Sequence, residues 1–237
     1  APPQSNLSSR LMFRTLRLVA LAAIGAAALA SAAAQQARPA GLAQAVAATR
    51  AADTDYAFDL TLESAKQNWR ARYRPNSDPA LTLLSPDRAD LDRDGRRAFD
   101  NLAERIDGVS WCASEEIGRV EGLRLLREDE ASATYAFQPT PESIRGEQAR
   151  RFASRLRGEL TLLKAEPDIT RVRIFAPDAF TPMPLVRVDR IDIVIACAEA
   201  PNGRRYAATT RSHVRGSAFG QDFNEHSVQR AANLRAP

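Results

Sequence analysis

The chain has 237 residues with 33 Lys or Arg against 29 Asp or Glu, a formal net charge of +4. That excess falls to about +1 once Arg10, Arg14 and Arg17 are set aside with the N-terminal segment described next, which gives little reason to expect nucleic acid or an anionic membrane surface as partner. What remains is roughly 200 residues, enough for one domain with a sizeable core.

Residues Leu11 to Gln36 read as a secretory signal peptide. A basic stretch with Arg10, Arg14 and Arg17 precedes the apolar run Leu18 to Ala30, and small residues follow with Ala-x-Ala cleavage patterns near Ala32 and Ala34. The run of about 13 residues is too short for a hydrocarbon core that asks for roughly 20, so a cleaved signal is expected rather than a membrane anchor. Residues 1–34 are therefore assigned to the signal and 35–237 to a single mature domain. Met12 stands where a start codon is expected, and residues 1–11 are left out of the fold reasoning. The expected location is the periplasm or the extracellular space, with no transmembrane span after cleavage.

The mature part begins with an alanine-rich stretch, Leu42 to Arg50, that reads as a short entry helix. The period then changes to two. Tyr56, Phe58, Leu60 and Leu62 alternate with Asp59, Thr61 and Glu63, and after a turn at Ser64 to Asn68, Trp69, Ala71 and Tyr73 alternate with Arg70, Arg72 and Arg74. This predicts a hairpin with one apolar and one wet face. A short strand follows at Leu81 to Leu84. Asp94 to Ile106 then carries Phe99, Leu102 and Ile106 on one helical stripe, with Gly108 as a stop.

Strands are predicted at Gly122 to Arg127 and Ser132 to Gln138, the second with Ala133, Tyr135 and Phe137 on its apolar side, and a loop with a short helix from Glu142 comes next. Alternation resumes through Leu156, Leu160 and Leu162 and returns through Val172 and Ile174. In the longest strand the apolar phase slips between Val188 and Ile191, the mark of a β-bulge at Asp189 and Arg190. Asn202-Gly203 signals a tight hairpin into Tyr206 to Gly216. Phe219 to Leu234 fits strand or helix equally. The loop Phe175 to Leu185, with Phe180 and Met183, reads as an apolar lid. Taken together the pattern is mainly β (α+β): a large curved antiparallel sheet of about ten strands, a half-barrel, with a few short helices on its concave side.

Little in this sequence marks catalysis. Of the two histidines, His213 falls on the polar side of its strand between Arg211 and Arg215, a poor setting for a general base. No Gly-x-Ser-x-Gly elbow occurs, and no enzyme activity is expected. Asp90-x-Asp92-x-Asp94-Gly95 copies the first half of a calcium loop, but Asn101 stands where a bidentate Glu is needed, so Asp92 or Asp94 is read as a helix cap and neither metal nor cofactor is expected. Cys112 and Cys197, in an exported chain, are most simply a disulfide, two separately buried thiols being the alternative.

The entry helix, the Tyr56 to Arg74 hairpin, the helix inserted within the sheet and the long terminal hairpins through Ile193 and Val214 resemble the LolA-like periplasmic carriers, the superfamily of outer-membrane lipoprotein-sorting proteins. Gly158-Glu-Leu-Thr-Leu162 and Arg215-Gly-Ser-Ala-Phe219 resemble strands of that group. The resemblance implies a non-catalytic protein that holds an acyl chain, a lipoprotein or another amphiphile on a concave apolar face. The expected lining is Phe58, Leu60, Trp69, Tyr73, Tyr135, Phe137, Phe180 and Met183. The alternative is an envelope structural or sensing domain that fills the hollow with its own side chains and docks a protein partner.

Overall fold

The computed structural model describes residues 39–52, 54–144 and 147–236, so the signal-peptide reading lies outside the described residues. Helix α1 (Ala40–Ala51) buries Leu42, Ala45 and Thr49 on one stripe. Strands β1 (Ala57–Ser64) and β2 (Asn68–Tyr73) form the hairpin that their alternation predicts, its turn closed by Ser64 Oγ donating to the Gln67 carbonyl at 2.9 Å. After β3 (Leu81–Ser85) comes α2 (Arg93–Ala103), started by the Asp92 carboxylate, which accepts from the Gly95 N–H at 2.6 Å. The acidic run is thus a helix cap at Asp92.

A one-turn helix α3 (Glu115–Gly118) leads into β4 (Glu121–Glu128) and β5 (Ser132–Gln138). A second one-turn helix, α4 (Glu147–Arg150), precedes β6 (Arg157–Leu163) and β7 (Ile169–Phe175). The chain ends in β8 (Phe180–Met183), β9 (Val186–Glu199), β10 (Arg205–Ala218) and β11 (Gln221–Arg235). One reading is corrected here and one left open is resolved. Residues 180–183 of the expected lid are a strand paired with β9, Phe180 opposite Val188. The ambiguous C-terminal stretch is also a strand.

All pairings are antiparallel, and the sheet stays open, in the order β3-β2-β1-β11-β10-β9-β7-β6-β5-β4 with β8 also on β9. The last strand is central, because β11 lies between β10 and β1. Arg190 pairs with Arg215 and Val188 with Gly216, which leaves Asp189 over and places the bulge where the apolar phase slips. A second bulge occurs in β11, where Ala57 pairs with Arg235 and Asp59 with Ala232, and Asn233 takes a left-handed φ of 56°.

The helices cover the two flanks of one sheet face. Under α2, Phe58, Leu60, Trp69, Ala71, Tyr73, Leu81 and Phe99 form one core, with Trp69 edge-on to Phe99. Under α1 and α3, Leu42, Ile117, Phe137, Leu160, Leu162 and Ile169 belong to another. In this second core Phe137 lies directly opposite Gly158, and a Cβ built there would sit 2.0 Å from the Phe137 ring. The glycine makes room for the aromatic. Asp168 ties the two ends of this region together: it is buried, accepts from the Ile169 and Arg205 N–H groups at 2.7 and 3.0 Å, and burial pushes its carboxyl up.

The opposite face is charged and cross-linked. Asp192 receives Arg173 at 2.8 Å and Arg190 at 3.1 Å, and Asp59 receives Arg72 at 2.7 Å and Arg235 at 3.3 Å. His213 and His226 stack across β10 and β11 on this face with ring centroids 3.8 Å apart. The hydrogen bond from Arg72 holds the Asp59 carboxyl well below its ordinary value, at about 2.

Two stability measurements follow. Gly158→Ala should cost about 2–3 kcal/mol in a urea melt, since the added methyl must displace the Phe137 ring. Asp59→Asn should cost about 1 kcal/mol at neutral pH, after allowance for solvent screening of a near-surface pair. The folded pKa of Asp59 is lowered, so its contribution is complete above about pH 4 and is lost as pH falls through about 2. The gap between wild type and variant should therefore close over that interval; a gap that persists at pH 2 would contradict the assignment.

Candidate functional site

Cover runs out at the middle of the inner face. Cross-strand partners share a face, so the register places Ile191, Ile193 and Ile195 of β9 beside Val172 and Ile174 of β7 on the helix-bearing side. All three isoleucines are only half-buried. Continuing across the sheet, Ile195 faces Thr210 and Gln229, while Ile193 faces Ser212 and Ser227, whose hydroxyls meet at 2.7 Å. An apolar floor thus passes into a hydroxyl and amide strip within three strands.

One segment crosses this floor. Residues 110–112 run alongside the start of β10, with Trp111 bridged to Tyr206, the Cys112 N–H donating to the Arg205 carbonyl at 2.9 Å and the Ala207 N–H to the Ser110 carbonyl at 2.8 Å. The space exists because β11 keeps to β10 only as far as the Arg230–Thr209 pair and then continues beside β1 alone. A disulfide from Cys112 to Cys197 of β9, with Cα atoms 6.4 Å apart, pins the crossing to the floor.

Two open cavities lie on either side of the crossing and share Ser110, Ile195 and Ala207. The first, of about 410 Å³, lies between β1, β11 and the end of α2 and is lined by Phe58, Leu60, Leu102, Ile106 and Leu234, with Arg105 and Asp107 at its margin. The second, of about 390 Å³, has the three isoleucines as its floor and Trp111, Ile117, Ile144 and Phe152 as walls, with Glu116, Ser114 and Ser143 among its polar lining groups. Both volumes fall in the range of roughly 300–1,000 Å³ that small-molecule sites occupy.

The residues expected to line a binding face are distributed unevenly. Phe58 and Leu60 line the first cavity while also belonging to the core under α2. Trp69, Tyr73 and Phe137 are buried in the flanking cores, Tyr135 packs against the second of them, and none of these four lines either cavity. Phe180 is buried against Phe152 with ring centroids 5.6 Å apart, and Met183 projects to solvent. The isoleucine floor had a sequence signal in its alternation, but alternation does not tell covered strand from uncovered.

The lining of the two cavities is largely apolar. The histidines lie on the outer face, and no cluster of three or more His, Cys, Asp or Glu with metal-binding geometry occurs among the described residues. Ser114 Oγ is occupied in capping α3, and Ser143 Oγ donates to the Thr140 carbonyl at 2.9 Å. No helix among the described residues is long and apolar enough to cross a membrane. Comparison with protein-family models, curated proteins and solved structures finds no match.

The disulfide closes a span of 85 residues, and removing it with Cys112→Ser and Cys197→Ser should destabilise the fold by roughly 4 kcal/mol in the chain-entropy account. Non-reducing mass analysis of the purified protein should find no free thiol; two free thiols would contradict the bridge.

Proposed function

We propose that this protein is an exported, non-catalytic binding module that holds an acyl chain or a similar amphiphile on the inner face of its sheet. The observation that carries this reading is the partly exposed floor of Ile191, Ile193 and Ile195 beside the Thr210, Ser212, Ser227 and Gln229 strip. A soluble sheet gains roughly 25 cal/mol for each Å² of apolar surface removed from water, so leaving three adjacent isoleucines part-covered is a cost that a bound chain would recover. The chain would lie over β7 and β9 and its polar end would reach the hydroxyls of β10 and β11. The disulfide fits an oxidising compartment, in keeping with export to the periplasm or beyond. The reading agrees with what the LolA-like resemblance implies and rests on the groove.

The alternative, an envelope domain that docks a protein partner, draws on the open edge at β4, where Leu125 and Leu126 stay exposed.

A fluorescent fatty-acid displacement assay separates them. Wild-type protein should bind saturably, Ile193→Asp should weaken binding at least about tenfold, and Val194→Asp on the outer face should leave it unchanged. Absence of saturable binding to the folded wild type would remove the carrier reading and leave docking.

A further inference from the structure

Four strands end together at one end of the sheet. Met183, Val186, Ala218 and Gln221 stand in a row across β8, β9, β10 and β11, and two tight turns extend beyond it: Pro184-Leu185 between β8 and β9, and Phe219-Gly220 between β10 and β11. The turns are tied together by the Phe219 N–H, which donates to the Leu185 carbonyl at 2.8 Å. Their side chains are the most exposed large apolar groups described, Phe219 at 74%, Leu185 at 71% and Met183 at 53%.

The turn chemistry is anomalous. Leu185 has φ 65° and Phe219 φ 52°, left-handed values that these tight turns usually assign to Gly, Asn or Asp. Large side chains here strain the backbone and bury nothing in return. A conflict between local rule and sequence at two neighbouring turns, both resolved toward exposed apolar bulk, points to a function outside the folded chain.

We infer that this tip inserts into the surface of a lipid bilayer. The occupant follows from shape and size. A stable protein interface engages about 20–30 residues and about 800 Å² on each side, whereas this patch is a convex point of three side chains. A bilayer asks only that apolar groups reach the headgroup–acyl boundary. Continuity with the groove is the second argument. From the tip, Val186 and Val188 lead along β9 to Ile191, about 15 Å away at strand rise, and Phe180 and Phe152 flank that path. A tip seated in a membrane would set the isoleucine floor against the source of apolar chains. This last step rests on the carrier reading; insertion itself does not.

The test is a fluorophore placed at the tip. The chain's two cysteines are both bridged, so Gln221→Cys creates a single reactive thiol beside the turn without removing an apolar side chain. Labelled with an environment-sensitive nitrobenzoxadiazole and mixed with 3:1 phosphatidylethanolamine:phosphatidylglycerol vesicles, the full chain should brighten about twofold or more and shift its emission to the blue. Leu185→Asp with Phe219→Asp in the same background should abolish the response. Phe219→Asn should weaken it while raising the melting temperature, because Asn tolerates the left-handed turn. The apolar run Leu18 to Ala30 is common to all these proteins, so a difference between them reports the tip. A silent label on the parent, or an equal response from the Asp pair, overturns the inference, and a protein partner at the tip would give the first result. Vesicle-free fatty-acid displacement keeps the two readings apart: chain binding with a silent tip removes only insertion, and a responsive tip without chain binding removes only the carrier.

Discussion

An antiparallel sheet of eleven strands presents more apolar surface than a few short helices can cover, and this shortage of cover organises the molecule. The available helices are spent at the flanks, α2 on β1 to β3 and α1 with α3 on β5 to β7. What is left is the middle, where β9 carries its isoleucines only partly covered and β10 and β11 substitute hydroxyls and amides. The chain answers part of the shortage with a single extended segment at residues 110–112. That segment is hydrogen-bonded along the start of β10, and the disulfide ties it to β9 as well.

The outer face faces a different demand, since it must stay in water without pairing with other sheets. It does so with arginines gathered on shared carboxylates: Arg173 of β7 reaches across to Asp192 of β9, where Arg190 of the same strand joins it, and Arg72 of β2 and Arg235 of β11 meet on Asp59 of β1. Each such pair adds little by itself, but the fork of a guanidinium fixes direction as well as charge. Because neighbouring strands are linked in this way, a slip of one residue in register would carry the arginines to the other face and part them from their carboxylates. The face therefore specifies alignment more than it adds stability.

How much of this could be read from the residues depends on the range of the signal. Alternation in Tyr56 to Tyr73, the phase slip at Asp189 and the Asn202-Gly203 turn are local, and each appears in the structure where the sequence placed it. The C-terminal strand was ambiguous for a physical reason. Ala231 and Leu234 are spaced by three because the bulge at Asn233 shifts the phase of β11, while Val228, opposite Glu63, lies on the other face, so the apolar spacing of the strand imitates a helix. The expected lining is divided between cavity and core. Trp69 and Tyr73 do lie on the inner face, but whether a helix covers that part of the face is decided by residues thirty positions away, beyond the reach of period-two reasoning. The large aromatics went under the helices, and the open floor was left to isoleucine.

The position of β11 between β1 and β10 also has a temporal meaning. The ion pair of Arg230 with Glu63 spans 167 positions, and β1 has no other neighbour on that side. A chain that emerges from its N-terminus can build the β1–β2–β3 leaf and the β4–β7 leaf separately, but it cannot join them until β11 has been made. High contact order of this kind slows folding and keeps two sheet edges exposed meanwhile. The two leaves thus become a single sheet only when β11 is in place, and its fifteen residues act as the seam.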